Sequence, residues 1–306
     1  MNEKTEKKLS KPINIFFFGN EQIAQGIKQR STPIFNFFAQ NPNFNIKALI
    51  LTSHNSRRKF PIEMQASKYD IPIYYGPKTA DLTKLIENEQ PTLGILAAYG
   101  KIVPKKIINA FPKGILNIHP SLLPQYRGTT PIETAILNGD TTIGTSIMLL
   151  APEMDAGPIL AQAKIQIKPN TTKDEIYQLL IQESLELIQE NIESYLKNEN
   201  KLIIQNHKSA TFTAKLQKSD AILKPEQEKA EILERKVRAY AGFPKARTTI
   251  KGIQCIITRS HVGEKPESAI DLHCADNKYL ILDEIIPENS KPMSAKAFLN
   301  GLKNKS

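Results

Sequence analysis

Asn117 and His119 stand two residues apart in the short apolar run Ile115-Leu116-Asn117-Ile118-His119, and a carboxylate follows in Met154-Asp155-Ala156-Gly157. Residues two apart on an extended strand project from the same face, so the amide and the imidazole can aim at one bound atom. Pro120 and Pro124 lack backbone donors and fix φ, which ends the strand and stiffens the loop beside the pair. An acyl transfer passes through a tetrahedral intermediate, whose oxyanion needs hydrogen-bond donors already in place. Asn117 offers a neutral N–H donor and His119, when protonated, a charged one. A carboxylate at Asp155 beside His119 would orient the ring, stabilise positive charge on it, and relay protons through water from an attacking nucleophile. None of these steps requires a metal.

Each of these residues also has a plainer use. A single histidine in an apolar run is commonly a core histidine satisfied by a neighbour, and an aspartate shortly before a glycine commonly makes a turn. Ser121, Leu122, Leu123 and Pro124 alone would make a proline-bracketed turn, and Arg57-Arg58-Lys59 alone would be a solvated basic loop. The combination of Asn117, His119 and Asp155 favours catalysis over any of the separate readings. Gly19 follows a first strand, but Gly19 and Gly26 lack the GxGxxG spacing needed for close approach to a pyrophosphate, which excludes a dinucleotide site.

The elements that must hold these groups follow from patterning. Short β-like runs at residues 13–18, 46–52, 93–99, 115–118, 145–150 and 160–167 alternate with helical stretches, the pattern of a mostly parallel, Rossmann-like α/β sheet wrapped by helices. The first and third are almost wholly apolar, as strands buried on both faces should be. Ligands in such sheets bind beyond the carboxyl ends of the strands, where His119 and Asp155 are expected. Residues 171 to about 197 form a long amphipathic helix, with Thr172 and Glu175 suited to a capping box. The chain then divides into a tail at 1–11, a catalytic domain at 12–197, a linker at 198–209 and a second domain at 210–306. A charged helix over 226–240 and short alternating runs at 248–257, 270–274 and 279–285 suggest that this second domain is a small antiparallel sheet or barrel.

Composition sets the outer bounds. At 306 residues the chain exceeds the usual span of about 100–200 residues for one domain, and 40% hydrophobic with 24% charged residues is ordinary globular composition. No apolar run is long enough to span a bilayer. The polar, Lys-rich N-terminus reads as a loose tail rather than a signal peptide, so cytoplasmic residence is expected. Cys255 and Cys274 lack metal-ligand spacing and are too sparse for a disulfide framework, which makes both structural. A net charge of +10 favours a polyanionic partner such as nucleic acid. From His207 onward 18 Lys+Arg face 12 Asp+Glu, so the excess is denser in the C-terminal third.

The run Asn117-x-His119-x-Ser121-Leu122-Leu123-Pro124-x-x-Arg127-Gly128-x-x-Pro131, with Gly144-Thr145-Ser146-Ile147-Met148 and Met154-Asp155-Ala156-Gly157-Pro158, resembles the folate-dependent formyltransferases. Matches at Ala98-Tyr99-Gly100-Lys101-Ile102-Val103-Pro104, Thr213-Ala214-Lys215-Leu216, Arg238-Ala239-Tyr240 and Lys291-Pro292-Met293-Ser294-Ala295 extend it over nearly the whole chain and point to the branch that acts on methionyl-tRNA. The resemblance implies a formyltransferase domain followed by an OB-like β-barrel, and a transferase that moves formyl from 10-formyltetrahydrofolate to the amine of initiator methionyl-tRNA for translation initiation. It implies catalysis by Asn117, His119 and Asp155 without a metal. Folate contacts are implied at Ser121, Leu122, Leu123 and Pro124, with Tyr99, Lys101 and Ile102 lining the same pocket. Contact with tRNA is implied at Arg57, Arg58 and Lys59, although that loop is shorter and less Gly/Pro-rich than the family's basic insertion. A monomer with no membrane association is expected. Formylation of a small amine, such as a nucleotide sugar or ribonucleotide, is the alternative within the superfamily; a folate- or RNA-binding module without activity is the alternative outside it. The chain departs from the family at Gly19-Asn20-Glu21, where Gly-Thr-Pro is usual, and in having no tryptophan.

Overall fold

The computed structural model describes residues 11–24, 26–27, 31–53 and 60–303. The first domain is a seven-stranded sheet in the order β3-β2-β1-β4-β5-β6-β7. Its strands are β1 (Ile13–Phe18), β2 (Phe44–Leu51), β3 (Ile73–Tyr75), β4 (Leu93–Ala97), β5 (Ile115–His119), β6 (Thr142–Leu149) and β7 (Ile159–Gln166). The helices between them are α1 (Pro33–Gln40), α2 (Pro61–Lys68), α3 (Thr79–Glu89), α4 (Lys105–Ile108) and α5 (Pro131–Asn138), and α6 (Lys173–Leu196) follows the last strand. Strands β1 to β5 pair in parallel, whereas β5–β6 and β6–β7 are antiparallel. The sheet is therefore mostly parallel, as its apolar runs predict, with an antiparallel edge.

Alternation along the central strands fills two cores. Ile15 and Phe17 of β1 join one cluster with α1, α5 and α6, while Phe16 and Phe18 join a second with Leu82, Ile107 and Phe111. On β5 the same alternation sends Leu116 and Ile118 to the first cluster and Ile115 to the second. Asn117 and His119 share the face of Ile115 and lie at the end of the strand, beyond the apolar packing. The strand expected over 93–99 stops at Ala97, because Ala98 (φ 55°) and Gly100 (φ 72°) both take left-handed backbone and turn the chain out of the sheet. The added strand β3 is too short to announce itself by pattern.

The N-terminus of α6 carries the expected capping box, with Glu175 N donating to Thr172 Oγ1 at 3.3 Å and Thr172 N to Glu175 Oε2 at 2.8 Å. The second domain is a five-stranded antiparallel, OB-like sheet of β8 (Arg247–Ile250), β9 (Ile253–Gly263), β10 (Leu272–His273), β11 (Tyr279–Pro287) and β12 (Met293–Ser294). Helices α7 (Ala230–Ala239) and α8 (Ala295–Lys303) pack on it around Leu233, Val237, Leu280, Ile285 and Phe298. Both cysteines are free and buried there. Ala239 and Tyr240, at the end of α7, enter the first domain's core, and Arg235 and Arg238 donate to the carbonyls of Asn138 and Thr171. No described helix is long and apolar enough to cross a membrane.

Candidate active site

Asn117, His119 and Asp155 meet. Asn117 and His119 are buried at the end of β5, and Asp155 reaches them from the loop joining β6 to β7, where it takes a left-handed conformation (φ 48°). Its carboxylate does three things at once. Oδ1 accepts from Asn117 Nδ2 at 3.4 Å, Oδ2 accepts from the Gly128 amide at 2.8 Å, and Oδ2 lies 3.7 Å from His119 Nδ1.

The tautomer of His119 follows from its other edge. Nε2 lies 2.9 Å from the carbonyl oxygen of Tyr126, and a carbonyl can only accept, so Nε2 carries a proton. Tyr126 presents that carbonyl from left-handed backbone (φ 58°), with its amide donating to Thr211 Oγ1 and its phenol to Asp140. Burial, with the Asp140 carboxylate, holds the Tyr126 phenol above its ordinary value against the Asn138 amide, which lowers it. At 3.7 Å, Nδ1 and Asp155 are within ionic reach but too far apart for a direct hydrogen bond. The Asn117 and Gly128 amides donate to this carboxylate, and Nδ1 faces it as a third donor when the ring carries both protons.

The loop after His119 is tied down from within. Ser121 Oγ donates to Gln125 O at 2.6 Å and Ser146 Oγ to Ser121 O at 2.6 Å. Leu123 is buried with Met148 and Ile159, and its amide donates to Ser146 Oγ at 3.1 Å. Leu122 and Pro124 are half-buried. Tyr99 is buried edge-on against Phe18, and burial pushes its phenol up. Lys101 is exposed and donates to Thr52 O at 3.2 Å, while Ile102 is 84% exposed. Of the residues expected to contact folate, Leu122, Pro124, Lys101 and Ile102 therefore present surface, whereas Tyr99, Ser121 and Leu123 are committed to packing or to the loop. Arg57, Arg58 and Lys59 lie outside the described residues.

Pattern alone does not reveal three parts of the site. The Gly128 amide is a direct partner of Asp155, and Gly128 (φ 118°) has no room for a side chain: a Cβ there would lie 2.5 Å from Thr213 Oγ1. Gln205, from the polar stretch after α6, reaches into the Asp155 loop. Thr211 and Thr213 flank the Arg127 backbone, with Arg127 N donating to Thr211 O at 2.9 Å and Thr213 N to Arg127 O at 2.8 Å. Arg127, the one charged side chain in the Ser121–Gly128 stretch, is the signal that could have pointed to a partner from elsewhere in the chain.

Residues 47–192 match the formyl transferase family and residues 215–303 the formyl transferase C-terminal domain. Methionyl-tRNA formyltransferase from Chloroflexus aggregans is 35% identical over 79% of this chain and 82% of its own length. The enzyme of that name from Roseiflexus castenholzii is 32% identical over 79% of the chain and 82% of its own length. In fold, the chain is similar to the sugar 3N-formyl transferase WlaRD, solved in the presence of dTDP and 5-N-formyl-THF, with a TM-score of 0.66 and 16% identity over 91% of this chain and 99% of that one. With formyl transferase N- and C-terminal domains in order, and relatives above 30% identity over about four fifths of both chains, the chain belongs to the methionyl-tRNA formyltransferases.

Proposed function

We propose that Asn117, His119 and Asp155 carry the transfer of formyl from 10-formyltetrahydrofolate to the α-amino group of initiator methionyl-tRNA. The observation that carries this reading is the Asp155 carboxylate lying against an amide donor and an imidazole nitrogen at the end of one strand. A formyl oxygen placed beside Asn117 Nδ2 and a protonated His119 Nδ1 would find two donors as its charge develops; loss of one such donor costs roughly 10²- to 10³-fold in rate. The Tyr126 carbonyl holds the ring so that Nδ1, not Nε2, is the working nitrogen.

The proton balance uses the third residue. The amine nitrogen attacks the formyl carbon and forms a new C–N bond, and the ammonium proton passes to Asp155 directly or through one water. The C–N bond to the carrier then breaks, and that proton is returned to the departing carrier nitrogen. The products are N-formylmethionyl-tRNA and tetrahydrofolate. Positioned acid–base help of this kind contributes roughly 10²- to 10⁴-fold.

The reading assigns residues 12–197 to catalysis, 198–209 to a linker and 210–306 to tRNA binding in a monomeric, cytoplasmic protein. The linker segment does not leave the first domain at once, since Thr211 and Thr213 still pair with Arg127 and the second core begins at Leu223. Folate is assigned to the surface around Leu122, Pro124, Lys101 and Ile102, together with Ser121, Leu123 and Tyr99 beneath it. Arg57, Arg58 and Lys59 are assigned to acceptor-arm phosphates. The overall similarity to a sugar formyl transferase favours a small amine as the second reading. Purified protein incubated with 10-formyltetrahydrofolate decides between them: formylated methionyl-tRNA is expected, and product with an amino sugar nucleotide but none with tRNA would overturn the tRNA reading.

A further inference from the structure

Gln205 belongs to no helix or strand and sits in a polar stretch, yet it is 4% exposed. Every hydrogen-bonding position of its side-chain amide is used. Nε2 donates to the carbonyl oxygens of Asp155 at 2.9 Å and Gly157 at 2.7 Å, and Oε1 accepts from Arg127 Nε at 3.2 Å and Nη2 at 2.6 Å. The amide can point only one way. Turned over, its N–H groups would face a guanidinium and its oxygen would face two carbonyls.

The loop that Gln205 grips needs holding. Asp155 is a non-glycine residue in left-handed backbone, a conformation that persists only where the surroundings enforce it. Gly157 runs so close to β6 that a Cβ there would lie 1.9 Å from the Leu149 carbonyl oxygen. We infer that Gln205 is a positioning residue for the reaction: anchored on Arg127, it fixes the 155–157 backbone so that the Asp155 carboxylate faces Asn117, His119 and Gly128. Arg127 suits the anchoring role because it is itself buried and, among the described residues, has no carboxylate partner. Its guanidinium meets Gln205, His207 Nδ1 at 3.1 Å and the ring of Phe212.

Gln205 is also one end of a strap. Ile203 pairs with Ile159 through two 2.8 Å hydrogen bonds, and Thr211 and Thr213 pair with Arg127, so residues 203–213 lie across the catalytic loops before the second core begins at Leu223. A shift of this strap is transmitted to Asp155 through one amide. The inference rests on Asp155 acting in the transfer.

Gln205→Glu isolates the effect. A carboxylate keeps and strengthens the Arg127 bond but removes both donors to the Asp155 loop. The full chain is compared as Gln205→Glu in the presence of Asp155 and in an Asp155→Ala background, measuring kcat, both KM values and thermal unfolding. With Asp155 present, kcat is expected to fall roughly 10- to 100-fold, the cost of a small misplacement of a reacting group. Both KM values are expected to stay within about twofold, and in the Asp155→Ala background the substitution is expected to cost less than about twofold, because the two effects share one path. An unchanged kcat with Asp155 present, or the same loss in both backgrounds, would overturn the inference. Should Gln205→Glu not fold, Gln205→Met, of similar volume and without the amide, is carried through the same comparison. Wild-type kcat in Asp155→Ala alone would instead overturn the assignment of Asp155.

Discussion

His119 Nε2 donates to the carbonyl oxygen of Tyr126 at 2.9 Å, which leaves Nδ1 facing Asp155 at 3.7 Å. The distance leaves room to work in: the two groups are not locked in a direct hydrogen bond, so on a doubly protonated ring Nδ1 is free to donate to a substrate oxygen. The loop from Ser121 to Gly128 is built to supply this carbonyl, with its turn closed by Ser146 and its far end pinned by Thr211.

Gly128 is where this loop touches Asp155 directly. A Cβ in Gly128→Ala would meet Thr213 Oγ1 at 2.5 Å, and the φ of 118° is one that alanine resists. Relief by moving the loop would lengthen the 2.8 Å bond from the Gly128 amide to Asp155. The expected outcome is a stability loss of about 1–3 kcal/mol by urea titration together with a fall in kcat. Unchanged kcat in the folded variant would show that the Gly128 amide does not hold the carboxylate in place.

Glu21 gives the protein a pH-dependent stability. It is fully buried, and its two oxygens accept from the amides of Ile34 at 3.2 Å and Phe35 at 2.5 Å, capping α1 in place of Thr32, whose own side chain makes no cap. Burial outweighs these two donors and pushes its carboxyl up to about 8. The folded state therefore keeps a proton that the unfolded chain releases near the ordinary value of 4.5. Stability from this group is complete below that value and declines as pH rises toward 8, by up to about 1.4 kcal/mol per pH unit in between. Urea midpoints of the wild type should fall between pH 5 and 8 more steeply than those of Glu21→Gln. Parallel pH dependences would mean that Glu21 ionises normally.

A buried ion pair joins α5 to α6. Lys173 and Glu133 are each 1% exposed at the side chain and lie 3.4 Å apart, and burial lowers the Lys173 pKa against the attraction of Glu133. Lys173→Met takes this cation from beside a buried glutamate and is expected to cost about 3–5 kcal/mol, whereas Lys173→Met with Glu133→Leu should recover part of it. Chemical denaturation of the three variants checks this. A double variant no more stable than the single one would show that Glu133 is not the group left uncompensated.

The candidate catalytic groups are legible where local pattern controls geometry. The spacing of Asn117 and His119 in an apolar run places both on one face, and the nearly continuous apolar runs of β1 and β4 mark strands buried on both faces. The Thr172–Glu175 cap was equally local. What pattern missed is non-local. Gln205 reads as one polar residue among several in a linker, and only the folded chain carries it some fifty residues back to Asp155. Leu123 reads from the sequence only as an apolar loop residue suited to a ligand ring, and its packing with Met148 and Ile159, beneath the surface assigned to folate, depends on residues far along the chain. Glu21, an apparent departure in the first loop, is explained by amides 13 and 14 residues further along the chain.

The most direct test is the single-turnover rate of methionyl-tRNA formylation by His119→Ala at saturating 10-formyltetrahydrofolate, measured beside its affinity for tRNA. Loss of the charged donor is expected to slow the transfer by roughly 10²- to 10³-fold while tRNA binds within about twofold of wild type. A rate within about twofold of wild type would contradict the assignment and leave His119 a buried histidine satisfied by Tyr126.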